Sequence, residues 1–256
     1  MRKNFFSAGL LVGAALLPVG VFGWAWDAAY RHDAEAVGVG SKYGHGKEEI
    51  SLAASEKIGN GTLSFGLEGR ILDDSSAVNR VAAHVDCAWD VAENWHLSVG
   101  YQPMRYFRCP VGIKMQGNEV HASLCRRNGL SLNGEVSYNF DEEDFGLYFS
   151  ATRSAGLASI GLDCFSIRSV FSFGYDHCAK PGGVPDFFQK NAPGDRCGFF
   201  YYGVDGDLVY KLPSLPGSLF VGCRYAGNSA SRSNWNNALG NHRNLLWAVL
   251  GGALQF

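Results

Sequence analysis

The sequence predicts an all-β protein: one transmembrane β-barrel of about twelve antiparallel strands in up-and-down order, with a range of ten to fourteen. Three observations predict this fold. Apolar and polar residues alternate with a period of two, many alternating segments are as long as a tilted bilayer-crossing strand, and short connections alternate with longer ones. A soluble β-sandwich would also alternate, but the strand lengths and the connection pattern favour a membrane barrel.

The segment from Leu130 to Phe140 shows the alternation most clearly. Leu132, Val136 and Tyr138 lie on one face, and Glu135 and Ser137 lie on the other. Alternating segments are predicted at 35–42, 47–58, 62–72, 79–91, 95–106, 117–127, 130–140, 144–153, 157–176, 198–211, 218–226 and 243–256. In the segment 157–176 the alternation slips near residues 165–168, which indicates a bulge or a hidden turn.

The connections between these segments are of two kinds. Those at 59–61, 93–94 and 128–129 are short and contain Asn or Gly, which favour the positive φ angles of hairpin turns. Strands joined so closely must be antiparallel. The connections at 177–197 and 227–241 are much longer. Short turns at one end and long loops at the other are typical of membrane barrels.

The start of the chain has the pattern of a secretory signal peptide. Arg2 and Lys3 precede an almost wholly apolar run at residues 5–22, which ends in a proline and small residues. The alternative is an uncleaved anchor, but the proline and the small residues favour cleavage. We therefore predict a cleaved signal peptide at 1–25 and a barrel domain at 26–256. No later stretch approaches the roughly 20 apolar residues of a transmembrane helix.

The end of the chain is one more alternating segment. Its apolar face includes Leu246, Leu250 and Leu254 and closes on the terminal Phe256. In this respect the sequence resembles bacterial outer-membrane β-barrel proteins, whose last strand commonly ends in an aromatic residue that the assembly machinery reads. The resemblance lies in the architecture of the whole mature chain and assigns no specific family. It implies an even strand count and location in the bacterial outer membrane, with membrane lipid, periplasmic chaperones and the barrel-assembly machinery as partners.

Composition excludes some functions and leaves others open. The net charge is −2, with no basic run, so we expect no nucleic-acid partner. No motif predicts a cofactor, and no Cys-x-x-Cys or His-x-x-x-His spacing predicts a metal site. Seven cysteines leave at least one unpaired. Cys178 and Cys197 flank a loop rich in Pro and Gly and could close it by a disulfide; alternatively, most cysteines are small apolar residues on strand faces. The sequence does not predict an oligomeric state.

Polar residues of the alternating segments are predicted to face the lumen, because their apolar neighbours face lipid. The predicted lumen-lining residues are Glu68, Arg70, His84, Asp86, His96, Glu119, His121, Glu135, Asp205, Asp207 and Arg224. Both signs of charge occur, so no strong ion preference follows. These groups could line a narrow aqueous path, or pair with each other across a plugged interior.

Catalysis has two sequence signals, and neither is specific. His121 and Ser123 form a His-x-Ser like that of the outer-membrane phospholipase and lipid A deacylase families. Those enzymes need a lipid-facing site, whereas the alternation turns both residues inward. A faint resemblance to omptin-like proteases lies in two close pairs of polar residues, His84 with Asp86 and Asp205 with Asp207, in the opposite chain order. No catalytic residue is assigned.

Three functions follow, in order of preference. The first is a small porin-like channel that admits small polar solutes without catalysis. The second is a non-conducting barrel that is structural or displays binding loops. The third is an outer-membrane hydrolase with inward-facing His, Ser and Asp residues.

Overall fold

The computed structural model describes residues 24–38, 41–72, 79–107, 116–141, 144–178, 199–228 and 244–255. Its elements are β1 (Ala25–Gly38), β2 (Ser41–Ile58), β3 (Gly61–Leu72), β4 (Asn79–Ala92), β5 (Trp95–Phe107), β6 (Gln116–Asn128), β7 (Leu130–Asn139), β8 (Asp144–Leu157), a 3-10 turn (Ala158–Ile160), β9 (Leu162–Cys178), β10 (Phe199–Lys211), β11 (Gly217–Asn228) and β12 (Asn244–Gln255). No helix within this described part of the chain is long and apolar enough to span a membrane.

The twelve strands form one closed antiparallel barrel. Each strand pairs with its neighbours in sequence, and β12 closes the ring by pairing with β1 over Asp27–Asp33. The prediction of an antiparallel up-and-down barrel of about twelve strands is therefore confirmed. Closure gives every strand a partner on both sides over at least part of its length, which is what a spanning sheet needs in lipid, where backbone groups find no water.

The outer surface is apolar over most of the ring. Large apolar side chains there are exposed, including Phe65, Leu67, Val85, Trp89, Val99, Leu124, Val136, Phe149, Phe171, Val204, Leu208, Leu219, Val221, Leu246 and Leu250. Soluble monomers rarely expose so continuous an apolar surface. The period-two alternation thus places its apolar set outside and its polar set inside, as the strands of a membrane barrel require.

Aromatic side chains pack in pairs near both ends of the barrel. Tyr138 and Phe140, at the end of β7, meet edge to face with ring centroids 5.2 Å apart. Phe165 and Tyr210, near the opposite end, have centroids 4.9 Å apart. Rings at both ends of the apolar band are typical of the two aromatic girdles of membrane barrels.

One end of the barrel carries the short turns. The connections after β2, β4, β6, β8 and β10 all lie there, together with the start of β1 and the end of β12. Residues with positive φ angles occupy four of these turns: Gly59 (63°), Asn94 (63°), Gly129 (67°) and Gly161 (79°). The predicted alternation of connection lengths is confirmed at this end. The two predicted long connections leave from the other end, and most of their residues lie outside the described ones.

The predicted position of the first strand is wrong. It was expected at 35–42, but β1 begins ten residues earlier, at Ala25, and β2 begins at Ser41. Alternation is present in β1, with Trp26, Ala28 and Tyr30 on the outer face. It is weak because alanines occur on both faces, and because the next outward residue, His32, is polar.

The hidden turn predicted for the segment 157–176 is present, but it does not lie near residues 165–168. β9 keeps an unbroken register with β10 from Phe165 to Asp176. The turn that the pattern hid lies earlier, at residues 158–161, and the register shift lies in β8 between Gly156 and Leu157. The pattern misleads here because polar Ser169 faces outward while apolar Val170 faces inward.

The facing of β7 gives a direct test of the barrel. Val136→Arg puts a charge on the lipid side and should lower the free energy of unfolding by about 2–4 kcal/mol if the site is mid-membrane. Ser137→Arg is the matched control on the inner face and should cost much less. Denaturant unfolding of the refolded protein in lipid measures both. Equal losses at the two positions would contradict the assigned facing.

Both chain ends bear on the predicted processing. The predicted signal peptide at 1–25 would overlap β1 by its last residue, Ala25, while residues 1–23 lie outside the described ones. Cleavage therefore stays a prediction. Phe256 also lies outside the described residues, so its role as an assembly signal stays a prediction too.

Candidate functional site

The structure places the predicted lumen-lining residues on the inner face of the barrel. Six of them belong to two clusters of contacting side chains, and Glu68 and His96 each pair with another residue. Asp205, Asp207 and Arg224 lie on β10 and β11, whereas Glu68, Arg70, His84, Asp86, Glu119, His121 and Glu135 lie on the opposite wall, and His96 lies near the short turns. Most of these side chains interact laterally, along the wall of the barrel.

The first cluster, the Asp207 network, consists of Arg168, Asp205, Asp207 and Arg224. Arg168 donates to Asp207 Oδ2 from Nε at 2.9 Å and from Nη2 at 2.7 Å. Arg224 donates to the other oxygen of Asp207, and its Nε lies 3.1 Å from Asp205 Oδ2. Asp207 and Arg224 are almost wholly buried, with 1% and 4% of their side chains exposed. Two guanidinium groups thus compensate one buried carboxylate.

The second cluster, the Asp33 network, lies where the barrel closes. The Asp33 side chain is fully buried, and its Oδ1 accepts hydrogen bonds from Arg31 Nη2 at 2.7 Å and from Trp247 Nε1 at 2.9 Å. Lys47 Nζ lies 3.3 Å from Asp33 Oδ2 and 3.2 Å from Glu49 Oε1. These contacts join β12, β1 and β2 from the inside.

The third cluster, the His84–Asp86–His121 cluster, spans three strands. His121 Nε2 on β6 lies 2.7 Å from Asp86 Oδ1 on β4, across the intervening β5. His84 Nε2 lies 3.8 Å from the other carboxylate oxygen. The contact across β5 exists because Gly100 stands between them in register and has no side chain. About a fifth of each of the Asp86 and His121 side chains remains exposed, at 20% and 17%.

Two further ion pairs extend the polar inner face. Glu68 on β3 pairs with Arg80 on β4, above the His84–Asp86–His121 cluster. Asp90 and His96 pair at 2.5 Å beside the short turn between β4 and β5. Both pairs join adjacent strands.

Several residues of these clusters and ion pairs were not predicted from the sequence: Arg31, Asp33, Lys47, Glu49, Arg80, Arg168 and Trp247. The first strand was predicted too late in the chain, so Arg31 and Asp33 had no assigned face. Arg168 fell at the apparent slip in the alternation. Trp247 is apolar in composition but faces inward, where its indole N–H finds a buried carboxylate. Knowing the register of β1 would have revealed most of this set.

No protein-family model matches the sequence, and no curated protein is similar enough in sequence to be a relative. Solved structures match the whole barrel. A KdgM porin has a TM-score of 0.53 at 11% identity, over 90% of this chain and 99% of that chain. An outer membrane channel from Pseudomonas putida F1 has a TM-score of 0.53 at 12% identity, over 91% and 96%. The fold is that of bacterial outer-membrane β-barrels.

A third match shows that this outer-membrane barrel fold is not specific to porins. LpxR from Salmonella typhimurium has a TM-score of 0.52 at 8% identity, over 89% of this chain and 99% of that chain. At such identities the likeness establishes the fold, and the activity must be argued from the side chains.

The His-x-Ser of this outer-membrane barrel does not form a nucleophile and base. His121 and Ser123 lie on the inner face, and each has another partner. Ser123 Oγ lies 2.8 Å from Ser98 Oγ, while His121 is engaged by Asp86. A serine needs the imidazole itself within hydrogen-bond reach to be activated.

No contact joins the two pairs of polar residues, His84 with Asp86 and Asp205 with Asp207, in the described part of the chain. β4, with His84 and Asp86, lies six strands away from β10 in the twelve-strand ring, so the pairs are on opposite walls. Both oxygens of Asp207 are occupied by arginines, which leaves that carboxylate unsuited to activate water.

The described part of the chain contains neither a metal-binding group nor a disulfide. There, no group of three or more His, Cys, Asp or Glu side chains is placed to hold a metal ion. Cys87, Cys125, Cys164 and Cys223 are free thiols. The predicted disulfide between Cys178 and Cys197 lies outside the residues whose side chains are described.

Proposed function

We propose that the protein is a porin-like channel of the bacterial outer membrane that admits small polar solutes without catalysis. The observation that carries the proposal is the direction of the ion pairs. Those named above join side chains on one strand, on adjacent strands, or across one intervening strand. The wall therefore compensates these charges itself, and they do not need partners across the lumen.

Water access to the inner side chains supports the same proposal. Arg31, Asp205 and Arg168 keep 33%, 31% and 38% of their side chains exposed although they face inward. Charged groups in contact with water and with a lateral partner are stable on the wall of an aqueous path. Positive and negative groups are mixed in each cluster, so we propose a path for polar solutes with weak ion selectivity.

The fold comparisons are consistent with this proposal, since two of the matching structures are named as a porin and a channel. The location in the outer membrane rests on the same fold and on the apolar outer surface. We further propose that membrane lipid covers this surface. Periplasmic chaperones would bring the chain to the outer membrane, where the barrel-assembly machinery would recognise Phe256 and insert the barrel. A hydrolase is disfavoured, because neither His121 nor Asp207 has the partners that catalysis needs.

Single-channel conductance in a planar bilayer tests the proposal. The refolded mature protein should give steady, discrete openings, and liposomes that contain it should take up small sugars. Folding is checked first by the mobility difference between heated and unheated samples. A preparation from cells that lack the gene, purified identically, controls for contaminating channels. Silence from folded protein would instead favour the non-conducting barrel with loops as its binding surface.

A further inference from the structure

Several inward-facing glycines lie beneath a polar side chain of the next strand. Gly66 lies under the imidazole of His84, and Gly174 lies under the ring of Tyr201. A methyl group built on either glycine would overlap that ring. Both glycines are buried although they belong to the wall of a lumen, because the neighbouring side chain covers them. Gly100 has the same relation to Asp86 and His121.

These side chains consequently lie against the wall. Side chains of a strand normally stand roughly perpendicular to the sheet, which inside a barrel means pointing toward the axis. A glycine in the adjacent register position leaves space that lets the ring bend over sideways. Tyr201 does so across β9, toward Tyr148, which is the partner of Gly174 on its other side.

We propose that these glycines set the width of the aqueous path by holding large side chains flat on the wall, with Gly174 and Tyr201 controlling the width near the end opposite the short turns. The inference rests on the proposed channel function. It assigns a specificity role to residues that carry no functional group.

The atoms that an added methyl group would meet determine which glycine is suitable for a mutational test. At Gly174 the three heavy atoms nearest to an added methyl group all belong to the far end of the Tyr201 ring, a side chain that can rotate away. At Gly222 and Gly251 it would meet the backbone oxygens of Gly206 and Tyr30. Changes there would distort the sheet itself. Gly174→Ala should therefore leave the barrel folded and push the Tyr201 ring toward the axis.

The test compares five proteins: wild type, Gly174→Ala, Tyr201→Ala, the double variant and a control, Gly69→Ala. Gly174→Ala is expected to lower single-channel conductance and the size limit for sugar uptake. Tyr201→Ala should not lower either. The double variant should return to at least the wild-type conductance, because the ring that obstructs the path is gone. Gly69→Ala is the matched control, since that outward glycine has nothing within 4 Å of its added methyl group.

Two results would overturn the proposal: an unchanged conductance in folded Gly174→Ala, or a loss that Tyr201→Ala does not rescue. A silent wild-type protein would overturn the channel function instead. The seating of the ring is then measured without current, by nitration of Tyr201 with a water-soluble reagent and mass spectrometry. Faster nitration in Gly174→Ala would support the proposal that Gly174 lets the Tyr201 ring lie flat on the wall, and an unchanged rate would overturn it.

Discussion

Replacing Asp207 with alanine is expected to lower the free energy of unfolding by about 3–5 kcal/mol, as when one partner of a buried ion pair is removed. Arg224 is the reason. Its side chain is 4% exposed, and it would retain only Asp205 as a charged partner, besides the backbone oxygen of Cys223. Arg168 is 38% exposed and can recover hydration from the lumen. Denaturant unfolding of the refolded barrel in lipid measures the loss.

Two matched variants separate charge from shape in this experiment. Asp207→Asn keeps a hydrogen-bond acceptor and should cost less than alanine. Asp205→Ala removes a carboxylate that is 31% exposed and has one arginine partner, and should cost about 1 kcal/mol or less. If Asp205→Ala proved as damaging as Asp207→Ala, burial would not be the cause.

The second large loss of stability is expected at the seam, the junction where β1 pairs with β12 and closes the barrel. Asp33→Ala removes a fully buried carboxylate from Arg31, Lys47 and Trp247, again at a cost of about 3–5 kcal/mol. Because these partners lie on β1, β2 and β12, the loss should be local as well as large. Hydrogen exchange with mass spectrometry should show lost amide protection in β1 and β12, with β6 and β7 little changed.

The strands that lose amide protection should differ between the Asp33 and Asp207 variants. Asp207→Ala should raise exchange in β9, β10 and β11 instead. Trp247→Phe is a milder control at this junction, since it removes the indole N–H and part of the ring but leaves Asp33 with Arg31 and Lys47. A uniform rise in exchange over all strands in Asp33→Ala would show that the residue does not hold the seam in particular.

The sequence predicted the strands and their facing better than the side-chain networks on the inner face. Alternation identified β7 correctly, because Val136 and Ser137 differ sharply in polarity and the period reports facing directly. It failed at β1, where alanines blur the two faces, and at Ser169 and Val170 in β9, where polarity and facing disagree. For most of the other strands the local pattern alone was sufficient.

The networks could not be predicted in the same way, since they depend on register between strands. Asp33 and Trp247 are 214 positions apart in the chain and meet only because the barrel closes. Nothing in the local sequence of either residue indicates the other. The bridge from Asp86 to His121 similarly depends on which residue of β5 stands between them, and only a glycine at that position permits it.

The topology also determines how this chain must acquire its structure. Eleven of the twelve strand pairings join consecutive strands and can form as successive hairpins, each with a small loop-closure entropy. One pairing, β1 with β12, brings together residues from the two ends of the barrel domain. Nearly all of the non-local ordering is concentrated in that single step. Until it occurs, both terminal strands expose unpaired backbone groups, so an arrested intermediate would be an open sheet that is prone to pair with another copy.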